Sequence, residues 1–364
     1  MFSWVIATVL LVSPPAPIPT AGVEPPRQEQ VMALPPALRA RLYDEVLVER
    51  MSQEERLQRL ADFMFQPQPQ GLGLSYDEGA TYTVEQTYET RRGNCVAFTL
   101  LFLALAREAK LDAWPQETQE ALAWHLSNNT LYRTNHVDAG VRAGGRTYRV
   151  DASPVAVIAR YPPERIEERR LLAHYYNNHA IATMDNGQLP LALRYMAIAI
   201  ELDPGYAGIW SNAGVLSMRN GDAVAAEHDY GEALTLDPQN IAALFNMVGL
   251  LQRIGDAKRE AGFRKRLERV QQKDPFHHFL LALDYERSGD YANAIEHLQR
   301  AIRLHPDEYR FHAALAAAYR QSGDVRRADR ALARARALGG DAMRKAAPAA
   351  PGQWQQIMDL PPGG

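Results

Sequence analysis

ETRRGNCVAFTLLFLALAR, residues 89–107, contains the only cysteine of a 364-residue chain. Polar and basic residues lead into an almost wholly apolar run, which predicts a buried helix with Asn94 as its N-cap. Cys95 then lies in the first turn, where the helix dipole favours a thiolate, the nucleophilic form of the side chain. The alternative is an inert cysteine packed in a core, which is the commoner state of a lone cysteine.

A β-hairpin is predicted over residues 135–151, where two alternating segments flank a Gly144–Gly145 turn. If the turn has two residues, Asp138 lies opposite Asp151. His136 then shares their face one diagonal away, about 7–8 Å between backbone positions. An imidazole and a carboxylate can touch in this register, whereas a three-residue turn would separate them. Asp138 is the alternative carboxylate partner, although we expect it to be a solvated position.

Three short motifs occur in order along the front half of the chain: Arg92-Gly93-Asn94-Cys95, then Asn135-His136-Val137, then Tyr148-Arg149-Val150-Asp151-Ala152. Together they resemble the transglutaminase-like superfamily, a papain-like group of cysteine enzymes, over about residues 75–155. The resemblance implies an α+β papain/transglutaminase-like domain with a catalytic triad. Two residues depart from the family pattern, since Asp138 stands where an aromatic is frequent and Arg149 where an apolar residue is common.

The resemblance assigns a role to each triad member. Cys95 attacks a carbonyl carbon, His136 holds and later delivers the proton, and Asp151 orients the imidazole. The Cys95 backbone N–H is a natural oxyanion donor, and Gln86 or Tyr88 is the candidate for the second donor. For those two residues the alternative is packing or loop surface.

His125 is the alternative to His136 as the base. A packing histidine is the other interpretation of His125, and it is the one that we prefer.

Glycines recur at a strict interval of 34 residues in the second half, with alanines and prolines at fixed offsets after them. The pattern resembles the tetratricopeptide repeat, in five copies over residues 171–340, and implies an all-α solenoid of paired helices. The third copy departs, with Glu260, Arg264 and Gln272 at the alanine, aromatic and proline positions, so we expect its second helix to face solvent or a partner. The recurring residues are Gly187, Gly221, Gly255, Gly289 and Gly323; Ala192, Ala226, Ala294 and Ala328; Ala199, Ala233, Ala301 and Ala335; and Pro204, Pro238 and Pro306.

The remaining segments complete the predicted organisation. Residues 1–26 are predicted to be a signal peptide or short apolar leader, so an exported protein, periplasmic or secreted, is expected. The leader departs from the usual pattern in that no basic residue precedes its apolar run. Residues 27–165 form the transglutaminase-like domain with N-terminal helices, one of which begins with a capping box at Ser52. Residues 341–364 are predicted to be a flexible tail.

Composition excludes several functional classes. The 40 basic and 43 acidic residues give a net charge of -3 without a basic, aromatic-rich stripe, so no nucleic-acid partner is expected. The apolar run of the leader is too short for an integral membrane span. One cysteine excludes a disulfide framework or a Cys-rich metal site, and the histidines at 174, 179, 277 and 278 lack carboxylates or thiols at metal-ligand spacing. We therefore expect neither a metal nor a cofactor.

Two functions follow from these patterns. The first is a cysteine hydrolase or acyl transferase of protease or amidase type, acting on an amide or isopeptide through Cys95, His136 and Asp151, while the repeat groove binds a protein or peptide ligand. The second is a non-catalytic tetratricopeptide-repeat scaffold with a degenerate transglutaminase-like domain.

Overall fold

The computed structural model describes residues 24–47, 50–118, 124–127, 130–133, 136–152, 162–345 and 357–359. The predicted leader lies outside these residues except for its last three positions. Within the described ranges, every helix is too short or too polar to span a bilayer.

The front half combines helices with short strands. In chain order its elements are α1 Gln28–Val31, α2 Pro36–Glu45, α3 Gln53–Phe65, β1 Ser75–Tyr76, α4 Val84–Thr90, β2 Arg92–Gly93, α5 Cys95–Glu108, β3 Asp112–Thr118, β4 Trp124–Ser127, β5 Thr130–Arg133, β6 His136–Ala143, β7 Arg146–Val150 and β8 Glu164–Arg165.

The second half is helical up to a short final strand. Its elements are α6 Glu168–Asp185, α7 Leu189–Leu202, α8 Ala207–Arg219, α9 Ala223–Leu236, α10 Ile241–Ile254, α11 Ala257–Gln271, α12 Pro275–Arg287, α13 Tyr291–Leu304, α14 Tyr309–Gln321, α15 Val325–Lys345 and β9 Ile357–Asp359.

Helix α5 is the apolar centre of the front half. All residues from Val96 to Ala106 are buried, as expected for a helix that is hydrophobic all round. Asn94 is its N-cap, as predicted, because the Asn94 Oδ1 accepts the Ala97 N–H at 3.1 Å. The capping box predicted at Ser52 is also present, at the start of α3.

The sheet is antiparallel, in the order β8-β3-β6-β7-β9, and α5 packs against β3 and β6. Gly140 pairs with Arg149, and the turn at Gly144–Gly145 has two residues, both with positive φ (56° and 80°). The observed pairing confirms the predicted register of the β6–β7 hairpin. The turn is possible because glycine adopts a positive φ without strain.

The predicted flexible tail contains two regular segments. Helix α15 is interrupted by a kink at Gly340 (φ 39°, ψ -120°) and resumes to Lys345, and β9 pairs with β7, with Tyr148 opposite Asp359. An edge strand such as β7 presents unpaired backbone groups, and β9 satisfies them. The tail therefore departs from the predicted disorder at these two places.

The ten helices α6–α15 form five antiparallel pairs, as the repeat pattern predicts. The five glycines spaced by 34 residues all have positive φ at the turn inside a pair, and the recurring alanines are buried. In the third copy, α11 buries only Leu267, so this charged helix is largely exposed, as expected.

A buried acid joins the front half to the first two repeats. Glu117 of β3 is 1% exposed, and Tyr206 donates a hydrogen bond to it at 3.2 Å. The His174 Nε2 lies 3.3 Å from the Glu117 carboxylate, and the Arg170 Nη1 lies 3.7 Å from it. The apolar core also continues from Val31 to Leu251, so the two halves are packed as one body at this junction.

A buried histidine of α6 forms a second contact at the same junction. His179 stacks on Tyr195, with ring centroids 5.1 Å apart, and lies 4.5 Å from the Tyr175 ring. Burial lowers the pKa of His179 to about 4, although a hydrogen bond to the Thr81 backbone acts in the opposite direction. His179 is therefore neutral at pH 7 and must gain a proton if the chain unfolds in acid.

Gly214→Ala should destabilise the protein by about 1–3 kcal/mol, because a Cβ at this position of α8 would lie 2.4 Å from the Tyr230 ring. Gly231→Ala in α9 is the matched control, since its Cβ meets no atom within 4 Å. This second change should stabilise the protein by about 0.5–1 kcal/mol. Urea denaturation of both variants measures the difference, and equal shifts would contradict the proposed close contact.

Replacing His179 with Gln should reduce the loss of stability in acid. The folded-state pKa of His179, about 4, lies below the ordinary value of 6.5, so its contribution is complete above pH 6.5 and is lost as the pH falls towards 4. The difference is worth about 3 kcal/mol. Urea denaturation from pH 7 to pH 4.5 tests this, with the exposed His228→Gln as control. Parallel pH profiles for wild type and His179→Gln would refute it.

Candidate functional site

Cys95 is the first residue of α5 and is half-buried, so its thiol is not sealed inside the core. The Asn94 amide group before it donates to the Thr81 hydroxyl at 2.6 Å and to the Glu78 carbonyl at 3.3 Å. The Asn178 amide of α6 donates to the same Thr81 hydroxyl at 3.4 Å. The start of the cysteine helix is thus fixed by the preceding loop and by the first repeat.

The structure brings Cys95, His136 and Asp151 together. The His136 Nε2 lies 2.9 Å from the Asp151 Oδ2, and the Cys95 side chain is a hydrogen-bond partner of the His136 ring. Because Asp151 occupies Nε2, Nδ1 is the ring nitrogen available to the thiol. Sulfur, imidazole and carboxylate therefore form a continuous chain of contacts, the arrangement that a cysteine nucleophile with an oriented base requires.

The charge of His136 is set by its neighbours. Burial lowers its pKa, and hydrogen bonds and opposite charge from Asp151 and Cys95 outweigh burial, so that the pKa is raised to about 10. The imidazolium form is therefore the favoured one at neutral pH. An imidazolium can stabilise a thiolate and donate a proton to a leaving group.

Asp138 is not the solvated position that the sequence predicted. It is 1% exposed, and its carboxylate accepts hydrogen bonds from the Gln116 amide at 2.6 Å and from the Arg149 Nε at 2.8 Å. The Arg149 Nη2 also lies 3.1 Å from the Asp151 Oδ2. Burial raises the pKa of Asp138, while the charge of Arg149 opposes the shift. The prediction was wrong because it did not include the pairing of β3 with β6, which covers this edge of the hairpin.

The predicted second oxyanion donors lie elsewhere. Gln86 is exposed and closes the capping box of α4 with Thr83, while the Tyr88 hydroxyl is a partner of Arg41. Instead, the Cys95 backbone N–H donates to the Tyr76 phenol. Burial, and then the nearby Cys95, raise the pKa of Tyr76, which therefore stays a neutral phenol. Sequence reasoning missed Tyr76 because its approach to α5 depends on the β1–β2 pairing and on the contact of its ring with Phe98, which are contacts between separate segments.

Carboxylate and imidazole atoms of His136, Asp138 and Asp151 lie within 4.8 Å of one another, the one grouping among the described residues with the spacing of a metal site. Arg149 already supplies a cation to both carboxylates. The donor set therefore does not fit a resident metal ion. The alternative base, His125, belongs to β4, of which only the backbone is described.

Family comparisons identify the helical half. Models described as "Tetratricopeptide repeat" match residues 177–241 and 286–347. The chain therefore contains tetratricopeptide repeats, and proteins with these repeats bind peptide or protein partners. Neither match extends into the front half, and no curated protein is significantly similar to the chain.

Some solved structures are similar to about half of this chain. The protein "MamA 41-end from Desulfovibrio magneticus RS-1" is 21% identical, with 48% of this chain and 97% of that chain covered and a TM-score of 0.26. "YrrB: a TPR protein with an unusual peptide-binding site" is 19% identical, with coverages of 47% and 88% and a TM-score of 0.26. At this level of similarity neither relative assigns a function.

Proposed function

We propose that this chain is a scaffold whose tetratricopeptide repeats bind a protein or peptide ligand. The observation that carries the proposal is the array of five helix pairs, α6–α15. The family models match two segments of this array. Because the comparisons match the repeats and not the front half, binding is the first candidate and chemistry the second.

The first helices of successive repeats offer the binding face. Helices α6, α8 and α10 contact one another in turn, so their outer residues form one continuous surface. Strand β5 of the front half packs on α8 and α10, so the front half covers part of these two helices and the ligand would use the part left open. We propose that the face continues onto α12, the first helix of the fourth repeat, where Leu280 is 41% exposed and offers an apolar contact.

Leu280→Ser should weaken peptide binding about tenfold, because an exposed apolar anchor on the binding face would be lost. A peptide selected from a random display library against the full chain serves as ligand, and calorimetry gives its Kd. Val224→Ser is the matched control, since Val224 is an exposed apolar residue on a second helix, α9. Equal weakening by both changes, or no selectable peptide, would refute this face as the ligand site.

A second function is favoured by one specific observation, the contact chain from Cys95 through His136 to Asp151. We propose that residues 27–165 form a transglutaminase-like domain that hydrolyses an amide or isopeptide. The Cys95 sulfur bonds to the carbonyl carbon, and His136 delivers its proton to the departing amine as the C–N bond breaks. Water then attacks the thioester carbonyl carbon with His136 as base, and the C–S bond breaks to release the carboxylic acid and regenerate Cys95. The Asp151 carboxylate accepts the hydrogen bond from the His136 Nε2–H throughout.

The carbonyl oxygen of the substrate needs a hydrogen-bond donor as it becomes an oxyanion. The Cys95 backbone N–H is in the right place at the start of α5, but it donates to Tyr76 in this structure. Binding of a substrate therefore requires that its oxygen replace the Tyr76 phenol as the acceptor. Hydrolysis is preferred to cross-linking because neither the sequence nor the described residues of the front half show a site for an amine acceptor.

Cys95 should react with iodoacetamide at pH 6–7 at least about tenfold faster than glutathione, because an adjacent imidazolium favours the thiolate. Since it is the only cysteine, the mass shift of the intact protein reports this site alone. His136→Ala should reduce the rate to that of a free thiol, while His228→Gln, an exposed histidine, should not. If wild-type Cys95 reacts no faster than glutathione, the scaffold is the remaining function.

A further inference from the structure

We propose that Asp138 and Arg149 act as a pair of positioning residues that hold Asp151 against His136. This inference rests on the proposed cysteine chemistry, which it extends by two residues. Both are departures from the transglutaminase-like pattern, and in the structure the two departures are each other's partners.

The pair is built into one face of the sheet. Gln116 pairs directly with Asp138 across β3 and β6, and Arg149 pairs directly with Gly140 across β6 and β7. Directly opposed residues share a face, so Gln116, Asp138 and Arg149 converge on the same side of the sheet. Asp138 is therefore held from both neighbouring strands.

Arg149 contacts both acids through one edge of its guanidinium. Its Nε donates to the Asp138 Oδ2 at 2.8 Å, and its Nη2 lies 2.5 Å from that same Oδ2 and 3.1 Å from the Asp151 Oδ2. That same Asp151 oxygen contacts the His136 Nε2 at 2.9 Å. A planar guanidinium anchored on Asp138 therefore fixes where the Asp151 oxygen sits, which a flexible lysine would not do.

Asp138 also acts on His136 through its charge. Its Oδ2 lies 3.6 Å from the His136 Nε2, too far for the hydrogen bond that Asp151 makes but close enough for a strong electrostatic effect. Without Asp138, Arg149 would pair with Asp151 alone and compete with His136 for it. We therefore expect the imidazolium to lose stability when Asp138 is made neutral.

The other ionisable groups around His136 come from separate elements. Cys95 approaches His136 from the start of α5, while Tyr76 of β1, with Glu78 in the loop that follows, acts on Cys95 and Asp151 rather than on His136. Arg149 is the cation that the structure shows on both Asp138 and Asp151. The pH at which His136 loses its proton therefore depends on the balance between the positive charge of Arg149 and the negative charges of these two carboxylates.

The experiment is the pH profile of Cys95 alkylation by iodoacetamide between pH 4 and 11, which requires no substrate. The wild type should show a plateau from the thiolate–imidazolium pair and a second rise when His136 loses its proton. Asp138→Asn should move that second rise to lower pH by about one to three units. Arg142→Gln removes an exposed cross-strand pair with Asp112 in the same sheet and should leave the profile unchanged.

A double variant keeps the test valid if Asp138→Asn fails to fold. Asp138→Asn with Arg149→Gln removes both charges together, so its profile should lie closer to wild type than that of Arg149→Gln alone. Circular dichroism confirms the fold of each variant. If the single and double variants both superimpose on wild type, or if the double variant departs further than Arg149→Gln, the positioning role is refuted.

Two other outcomes are distinguishable. If Asp151→Asn leaves the plateau intact while Asp138→Asn abolishes it, Asp138 is itself the orienting acid and the inference is overturned. If the wild type shows a single rise at the pH of a free thiol, the proposed cysteine function fails, and the positioning role fails with it.

Discussion

The register of the β6–β7 hairpin is the constraint on which the candidate site depends. The two-residue turn at Gly144–Gly145 pairs Gly140 with Arg149, and this places the side chains of His136, Asp138 and Asp151 on one face. A slip by one residue would turn every side chain of one strand to the opposite face. The 2.9 Å contact between His136 and Asp151 would then be lost, so turn chemistry far from the sulfur decides whether a base is available to it.

The buried charges next to this register balance one another. Asp138 and Asp151 supply two negative charges, while Arg149 and protonated His136 supply two positive ones. Burying such groups is costly, and removing one partner of a buried pair typically costs about 3–5 kcal/mol. The net gain in stability from such a network is small, so we assign it a geometric role. It specifies one orientation for the imidazole.

Several parts of the fold could be predicted from the sequence because each is encoded by local chemistry. The Asn94 cap, the hairpin turn and the 34-residue repeat depend on residue types at short, fixed spacing. Other features depend on contacts between distant segments. Asp138 is buried by contacts from two neighbouring strands, with Gln116 of β3 and Arg149 of β7, and Tyr76 is brought to Cys95 by the pairing of β1 with β2. Gln86 was misassigned because its local capping role outweighs its nearness to Cys95 in the sequence.

Neighbouring residues of β3 connect the candidate site to the repeats. Side chains alternate along a strand, so Gln116 faces Asp138 while Glu117 faces His174 and Tyr206 of the first two repeats. This strand, together with the shared apolar core, fixes the distance between the repeat surface and Cys95. A ligand long enough to span from the repeats to Cys95 would be presented to the sulfur at a raised effective concentration. Ligand binding and hydrolysis are therefore compatible functions of this chain, because the packed junction would let the repeats bring a bound substrate to Cys95.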